Sequence, residues 1–189
     1  MRFAPKLVML PVVLAACTTL MADVINFDTL PGNNSDPFTT YSEDGFTVSA
    51  TSGPWKVGKN FGHPVPDVFC RFCSPGTLEI TGGQFDFESV DLGNAGAPAF
   101  RYTISGYLEG VQVLLQSGVN PAPFDTFATV ASGEPSQLLD RLDITIDTTS
   151  TDGNVDNIVV NPVPEPGTWT LLLFGLVSLG ISYRKHRTT

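Results

Sequence analysis

Between residues 23 and 161 the chain repeats one pattern: short runs of alternating apolar and polar side chains, separated by clusters of Gly, Pro, Asn and Ser. Val24-Ile25-Asn26-Phe27, Gly45-Phe46-Thr47-Val48-Ser49, Thr77-Leu78-Glu79-Ile80-Thr81 and Phe85-Asp86-Phe87-Glu88 all show it. Period two sends successive side chains to opposite faces of a strand, whereas an amphipathic helix needs apolar residues three and four apart. Further runs of this kind lie at Phe100 to Ile104, Gly110 to Gln116, Phe124 to Val130, Leu142 to Asp147 and Val155 to Val160. Leu30 to Pro37 and Ser117 to Pro123 supply turn and loop residues. Only Pro135 to Leu142 hints at a helix, with Leu138, Leu139 and Leu142 on one side, and a strand or single turn is an equal reading there. The predicted body is all-β: an antiparallel β-sandwich, jelly-roll-like in its connections.

Both ends depart from this pattern. Arg2 and Lys6 precede the apolar stretch Leu7 to Ala16, the n-region and h-region of a secretory signal over residues 1–22. Cleavage after Ala22 is the favoured reading; Leu14-Ala15-Ala16-Cys17 also fits a lipobox, which would leave Cys17 as a lipidated N-terminus. At the other end Pro164-Glu165-Pro166 is followed by an uncharged apolar segment, expected as a single transmembrane helix over residues 168–183. A hydrocarbon core of ~30 Å takes roughly 20 helical residues, so this span is short. Trp169 and Tyr183 bracket it as interfacial aromatics do, and Arg184, Lys185 and Arg187 form a basic stop that stays cytoplasmic. The prolines deny helix and sheet to the residues just outside the bilayer.

The order of these three features over residues 162–189 resembles the PEP-CTERM sorting signal of Gram-negative bacteria. The resemblance implies recognition and cutting by a membrane-embedded exosortase, with signal peptidase acting at the other end. It implies transit through the inner membrane on a transient C-terminal anchor, then release or attachment at the cell surface, in association with exopolysaccharide and biofilm. On that reading Glu165 is part of a substrate and has no catalytic role. A second resemblance covers the body. Asn26-Phe27-Asp28, the run Gly83 to Leu92, and Val155-Asp156-Asn157-Ile158-Val159-Val160 are similar to β-sandwich ectodomains that accompany such signals, which themselves resemble carbohydrate-binding jelly rolls.

Charge narrows the partners. All nineteen acidic residues lie between Asp23 and Glu165, while five of the ten basic residues sit in the two terminal signals. So acidic a body is a poor ligand for nucleic acid phosphates. It suits divalent cations or neutral glycans, such as extracellular polysaccharide, or simply a solvated surface without a specific partner.

Few residues are candidates for chemistry. Cys70 and Cys73 are flanked by Pro64, Pro66, Pro75 and Gly76, and are expected to form a local disulfide pinning a surface loop after export. A metal site with His63 as third ligand is the lesser alternative, since a closed zinc site takes four ligands. Asp152-Gly153-Asn154-Val155-Asp156 has the spacing of a calcium loop, but Asn157 and Val163 stand where an EF-hand needs Gly and Glu. The resemblance to jelly-roll modules implies a different geometry, a structural calcium joining the first and last strands through Asp28 and Asp156, with Asn26 or Asn157 as a further oxygen ligand. The competing reading makes Asp156 a cap on backbone N–H groups.

Trp55, the only Trp of the body, is expected in a loop, Gly53-Pro54-Trp55-Lys56, and is the candidate for stacking on a sugar ring, against the alternative that it packs on its own sandwich. A Ser-His-Asp triad would need His63, and no Gly-x-Ser-x-Gly elbow accompanies it. Glu79, Glu88, Asp86 and Asp91 alternate with apolar residues as a solvated strand face does. The expected protein is a non-catalytic structural or adhesive surface component, or else a glycan-binding module. No catalytic residue is assigned.

Overall fold

The computed structural model describes residues 22–95, 99–148, 152–163, 172–173 and 175–177. Eleven strands follow one another: β1 (Asp23–Ile25), β2 (Thr40–Glu43), β3 (Phe46–Ser52), β4 (Trp55–Gly58), β5 (Asp67–Arg71), β6 (Gly76–Ala95), β7 (Arg101–Leu108), β8 (Val111–Val119), β9 (Phe127–Ala131), β10 (Leu138–Asp147) and β11 (Asp152–Pro162). Every strand pairing is antiparallel. The antiparallel sandwich-like fold expected from the period-two runs is present.

Strand β6 organises it. Its first half, Thr77 to Thr81, pairs with β3 on one side and β10 on the other. Its second half pairs with β11 and β9. Strand β3 gives way to β11 at Gly82-Gly83, while β10 stays paired across them as far as Asp86; Gly83 takes φ of 78°, open to glycine at little cost. Two runs that read as separate strands in the sequence are therefore one continuous strand serving two layers. One layer runs β2-β3-β6-β10-β7-β8, and the other joins β4, β5 and β11 to the second half of β6 and then β9. Pro135 to Leu142 is a turn at Pro135-Ser136 followed by the first residues of β10, so no helix forms there.

Between the layers lies the core. Leu78, Ile80, Phe85, Phe87 and Leu92 of β6 are buried with Leu139, Leu142, Ile144 and Ile146 of β10 and Val155, Ile158 and Val160 of β11. Phe46 meets Phe85 edge to face at 5.4 Å, the geometry the ring quadrupoles favour.

Two expectations for this part of the chain need correction. Trp55 is on strand β4 rather than in a loop and is 2% exposed, with its indole N–H donating to the Ser52 carbonyl at 2.9 Å. It is a core residue, so it offers no face to a sugar. Cys70 and Cys73 are joined in a disulfide, as expected, but both are buried. Cys70 sits on β5, with glycines at 53 and 76 leaving space for the sulfurs, so the bridge belongs to the core and not to a surface loop.

The terminal signals are outside this frame. Cys17, Pro164, Glu165, Pro166, Arg184, Lys185 and Arg187 lie outside the described residues. Of the expected membrane helix, residues 172–173 and 175–177 are described; they are helical and exposed. No helix among the described residues is long and apolar enough to cross a membrane.

Candidate functional site

The inward residues of β5 and β11, Val68, Cys70 and Val155, send their neighbours to the outer face of that layer. There Asp67, Phe69 and Arg71 of β5 lie beside Asp152, Asn154 and Asp156 of β11, with Asp91 of β6 and Thr129 of β9 beyond. An outer face of carboxylates would ordinarily be solvated. Here much of it is covered, because the segment after β4 folds back over the sheet and carries Phe61 and His63 across it.

His63 is the fastening point. Its backbone N–H donates to Asp156 Oδ2 at 2.6 Å, and its ring Nδ1 lies 3.0 Å from Asp91 Oδ2. The Asn157 side-chain amide donates to the His63 carbonyl and to Asp91 Oδ2. Thr129 donates its hydroxyl to Asp91 Oδ1 at 2.6 Å. Phe127 carries Phe61 stacked on it at 4.8 Å and His63 at 5.9 Å. A bulge makes this arrangement possible: the register of β11 against β6 shifts after Asp156, and Asn157 takes φ of 43°. Bulges re-aim side chains, and this one brings Asp156 and Asn157 to the same loop.

Burial sets the charges. Desolvation pushes Asp156 up to about 7, opposed by the N–H groups of His63 and Asn157 and reinforced by Asp91. Burial also acts on Asp91, but the hydrogen bonds from Thr129, Asn157 and His63 together hold it below the ordinary carboxylate value. Asp67 is fully buried, and desolvation raises it to about 8 despite the amide of Asn154, 2.5 Å from Oδ2. Its other oxygen packs where a side chain at Gly58 would sit and has no hydrogen-bond partner among the described residues.

Beside this cluster opens a cleft of about 220 Å³. Asn34, Ser35, Asn60, Arg71, Asp152 and Asn154 give it polar walls, and Phe61 and Phe69 give it apolar ones. Arg71 and Asp152 are paired across it at 3.0 Å. Such a mixture suits a small polar ligand with an apolar face. Asp152 and Asn154 drew attention in the sequence only for their calcium-like spacing, and the remaining walls come from separate stretches of chain without a recognisable spacing.

The calcium set fares differently from its expectation. Asp156 and Asn157 come together, but Asp28 does not join them: its side chain takes the Asn26 amide at 3.1 Å, and its backbone N–H donates to Asn26. Both Asp156 oxygens already accept backbone N–H groups, which is the capping role. Among the described residues no group of three or more His, Cys, Asp or Glu is placed to hold a metal ion. These residues do not fit a calcium joining the first and last strands. His63 faces Asp91 while the two cysteines bond to each other, so the alternative zinc set does not form either.

Comparison with solved structures returns β-rich modules. The chain is similar to the family 32 carbohydrate-binding module of NanJ from Clostridium perfringens, solved in complex with galactose, at 17% identity over 62% of this chain and 97% of that one, with a TM-score of 0.42. It is similar to the family 11 carbohydrate-binding module of the cellulase Lic26A-Cel5E from Clostridium thermocellum, at 14% identity over 77% and 97%, with a TM-score of 0.39. It is also similar to the K1 cleaved adhesin domain of Lys-gingipain from Porphyromonas gingivalis, at 11% identity over 76% and 99%, with a TM-score of 0.43. No curated protein matches the sequence. The C-terminal segment is matched specifically: residues 162–187 are a PEP-CTERM protein-sorting motif, carried behind an antiparallel β-sandwich body.

Proposed function

We propose that this is an exported protein, cut by exosortase beside Pro164-Glu165-Pro166, whose body serves as a non-catalytic structural or adhesive component of the cell surface or exopolysaccharide matrix. The sorting motif at residues 162–187 carries this reading, since it implies export and surface sorting. The acidic, disulfide-bonded body suits an oxidising compartment outside the cytoplasm. Within the proposal the chain crosses the inner membrane of a Gram-negative cell, loses residues 1–22 to signal peptidase, and is held briefly by the short apolar segment before transfer. Replacing Glu165 by alanine is expected to leave the C-terminal segment attached. Mass spectrometry of the termini from native cells reads this directly: loss of the segment from wild type, and its retention in the variant, is the expected pair. A wild-type protein that keeps residues 167–189 sinks the proposal.

A second reading is favoured by one observation, the cleft between Arg71, Asp152 and Asn60 with Phe61 and Phe69 at its sides. In this reading the body is a jelly-roll glycan-binding module and the cleft takes one neutral sugar. Hydroxyls would meet the paired Arg71 and Asp152, while a ring face would rest on an aromatic side chain. The exported protein applied to a glycan array would then bind saturably, and Arg71→Ala would weaken binding tenfold or more. An array without saturable binding removes this reading and leaves the first standing.

A further inference from the structure

Exposed sheet edges invite pairing with other chains, and folded proteins cover, shorten or charge them. Most edges here are treated in this way. The edge of β4 is shielded by the segment at residues 35–38, where Ser35 and Phe38 N–H donate to the Val57 and Trp55 carbonyls at 2.8 and 2.9 Å, and Val57 N–H donates to Asp36. Strand β1 has three residues. Strand β2 has four, and its Glu43 carboxylate takes the N–H groups of Asn26 and Phe27. Strand β9 has five, with Phe61 and His63 stacked on Phe127 at its start and the Gln116 amide on the Ala131 carbonyl at its end.

Strand β8 is the exception. It runs for nine residues, carries no charge, and pairs with β7 on one side; no strand covers its other side among the described residues. A bulge at Val113, where Gly106 and Tyr107 face Leu114 and Gln112, turns that valine toward the core. From Leu114 to Val119 the strand is regular again, and Leu115 and Val119 are 67% and 54% exposed. Large apolar side chains at two positions of an uncovered, uncharged edge are what a pairing surface presents.

We infer that β8 is the edge through which two copies of this chain associate, pairing antiparallel about a two-fold axis at Ser117. The register decides for a second copy over a foreign strand, because the segment is complementary to itself. Leu115 of each copy faces Val119 of the other and Ser117 faces Ser117, while Gln116, opposite Gly118, keeps its side chain on the Ala131 carbonyl and the Gly133 N–H of its own chain. Charge agrees with this choice. The chain has a formal net charge of −9, so two copies repel over most of their surfaces. Along Leu114 to Val119 neither β8 nor the facing stretch of β7 holds an acidic residue, and the one charged side chain there is Arg101, opposite Val119. The association is isologous and closes at two copies. It makes one continuous sheet across the pair and leaves both clefts unused.

The test uses the full exported protein in detergent, followed by sedimentation velocity over a wide concentration range. A concentration-dependent dimer is expected, and Leu115→Lys is expected to raise its dissociation constant at least tenfold while leaving the thermal midpoint unchanged. Opposed residues in an antiparallel pair are close enough for a disulfide. Ser117→Cys should therefore cross-link the dimer on oxidation, while Thr40→Cys, exposed on β2, should not. A monomer at every concentration, an association that Leu115→Lys leaves intact, or equal cross-linking from both cysteine variants overturns the inference.

Discussion

Replacing Trp55 by alanine is expected to destabilise the body by about 3–5 kcal/mol, the range for removing a buried tryptophan. Two effects combine. The indole fills the largest fully buried side-chain volume in the core, so its loss leaves a cavity that the strands on either side close only in part. The Ser52 carbonyl also loses the donor 2.9 Å away. For a domain of this size each kcal/mol moves the thermal midpoint by about 2–4 °C, so a fall of roughly 10 °C is expected in a thermal melt. Trp55→Phe should recover much of it, since it restores most of the volume and none of the hydrogen bond. A Trp55→Ala variant that melts with wild type would show that the indole is not in the core.

The second large effect is electrostatic. Asp67 titrates at 3.8 when exposed and at about 8 in the fold, because burial penalises its charged form. The folded protein therefore holds a proton that the unfolded chain gives up. The stability Asp67 contributes is present in full below pH 4 and is lost as pH rises through 8. Asp156, raised to about 7, acts in the same direction over the same window. Asp91, held low, acts in the opposite direction, and its contribution disappears as the solution is acidified. Asp67→Asn keeps an oxygen for the Asn154 amide and removes the titration. It should leave stability at pH 4 nearly unchanged and raise it at pH 9, with a ceiling of about 6 kcal/mol for a shift of this size. Urea unfolding at the two pH values measures this. An equal effect of the substitution at both would refute it.

Both predictions fall on residues whose role the chain order conceals. Trp55 stands in Gly53-Pro54-Trp55-Lys56, a sequence that reads as a loop, yet Trp55 to Gly58 is held as a strand by pairing with β5. That pairing is a contact with a later segment, and local propensity carries no record of it. Asp67 follows Pro64, Val65 and Pro66, and nothing nearby marks it as buried. It is covered because Gly58 and Asn154, from two other strands, close over it. Cys70 and Cys73 were legible as a pair, since three residues of separation and an exported context are local facts. Their burial was not.

The candidate site divides in the same way. Asp156 and Asn157 were visible as a polar pair before the last apolar run, and a backbone cap was one of the two roles open to Asp156. The bonds that join Asp156 to His63, His63 to Asp91 and Thr129 to Asp91 span 93, 28 and 38 residues, and only the folding of the His63 loop onto the sheet makes them one cluster. Asp28 was grouped with Asp156 on the expectation that first and last strands meet. They do meet, as β1 beside β11, but the pairing ends at Ile25 and the chain turns away before Asp28.

Period-two alternation is a property of neighbours, so strand content and the all-β class could be read from residue order alone. The same holds for the tail, where the sorting motif at residues 162–187 is a linear order of prolines, an apolar run and a basic end. Which strands touch, which carboxylates lose their water and which edge stays open are properties of distant segments brought together. Those were decided by the packing of two layers around β6, because burial and pairing exist only once the chain has closed on itself.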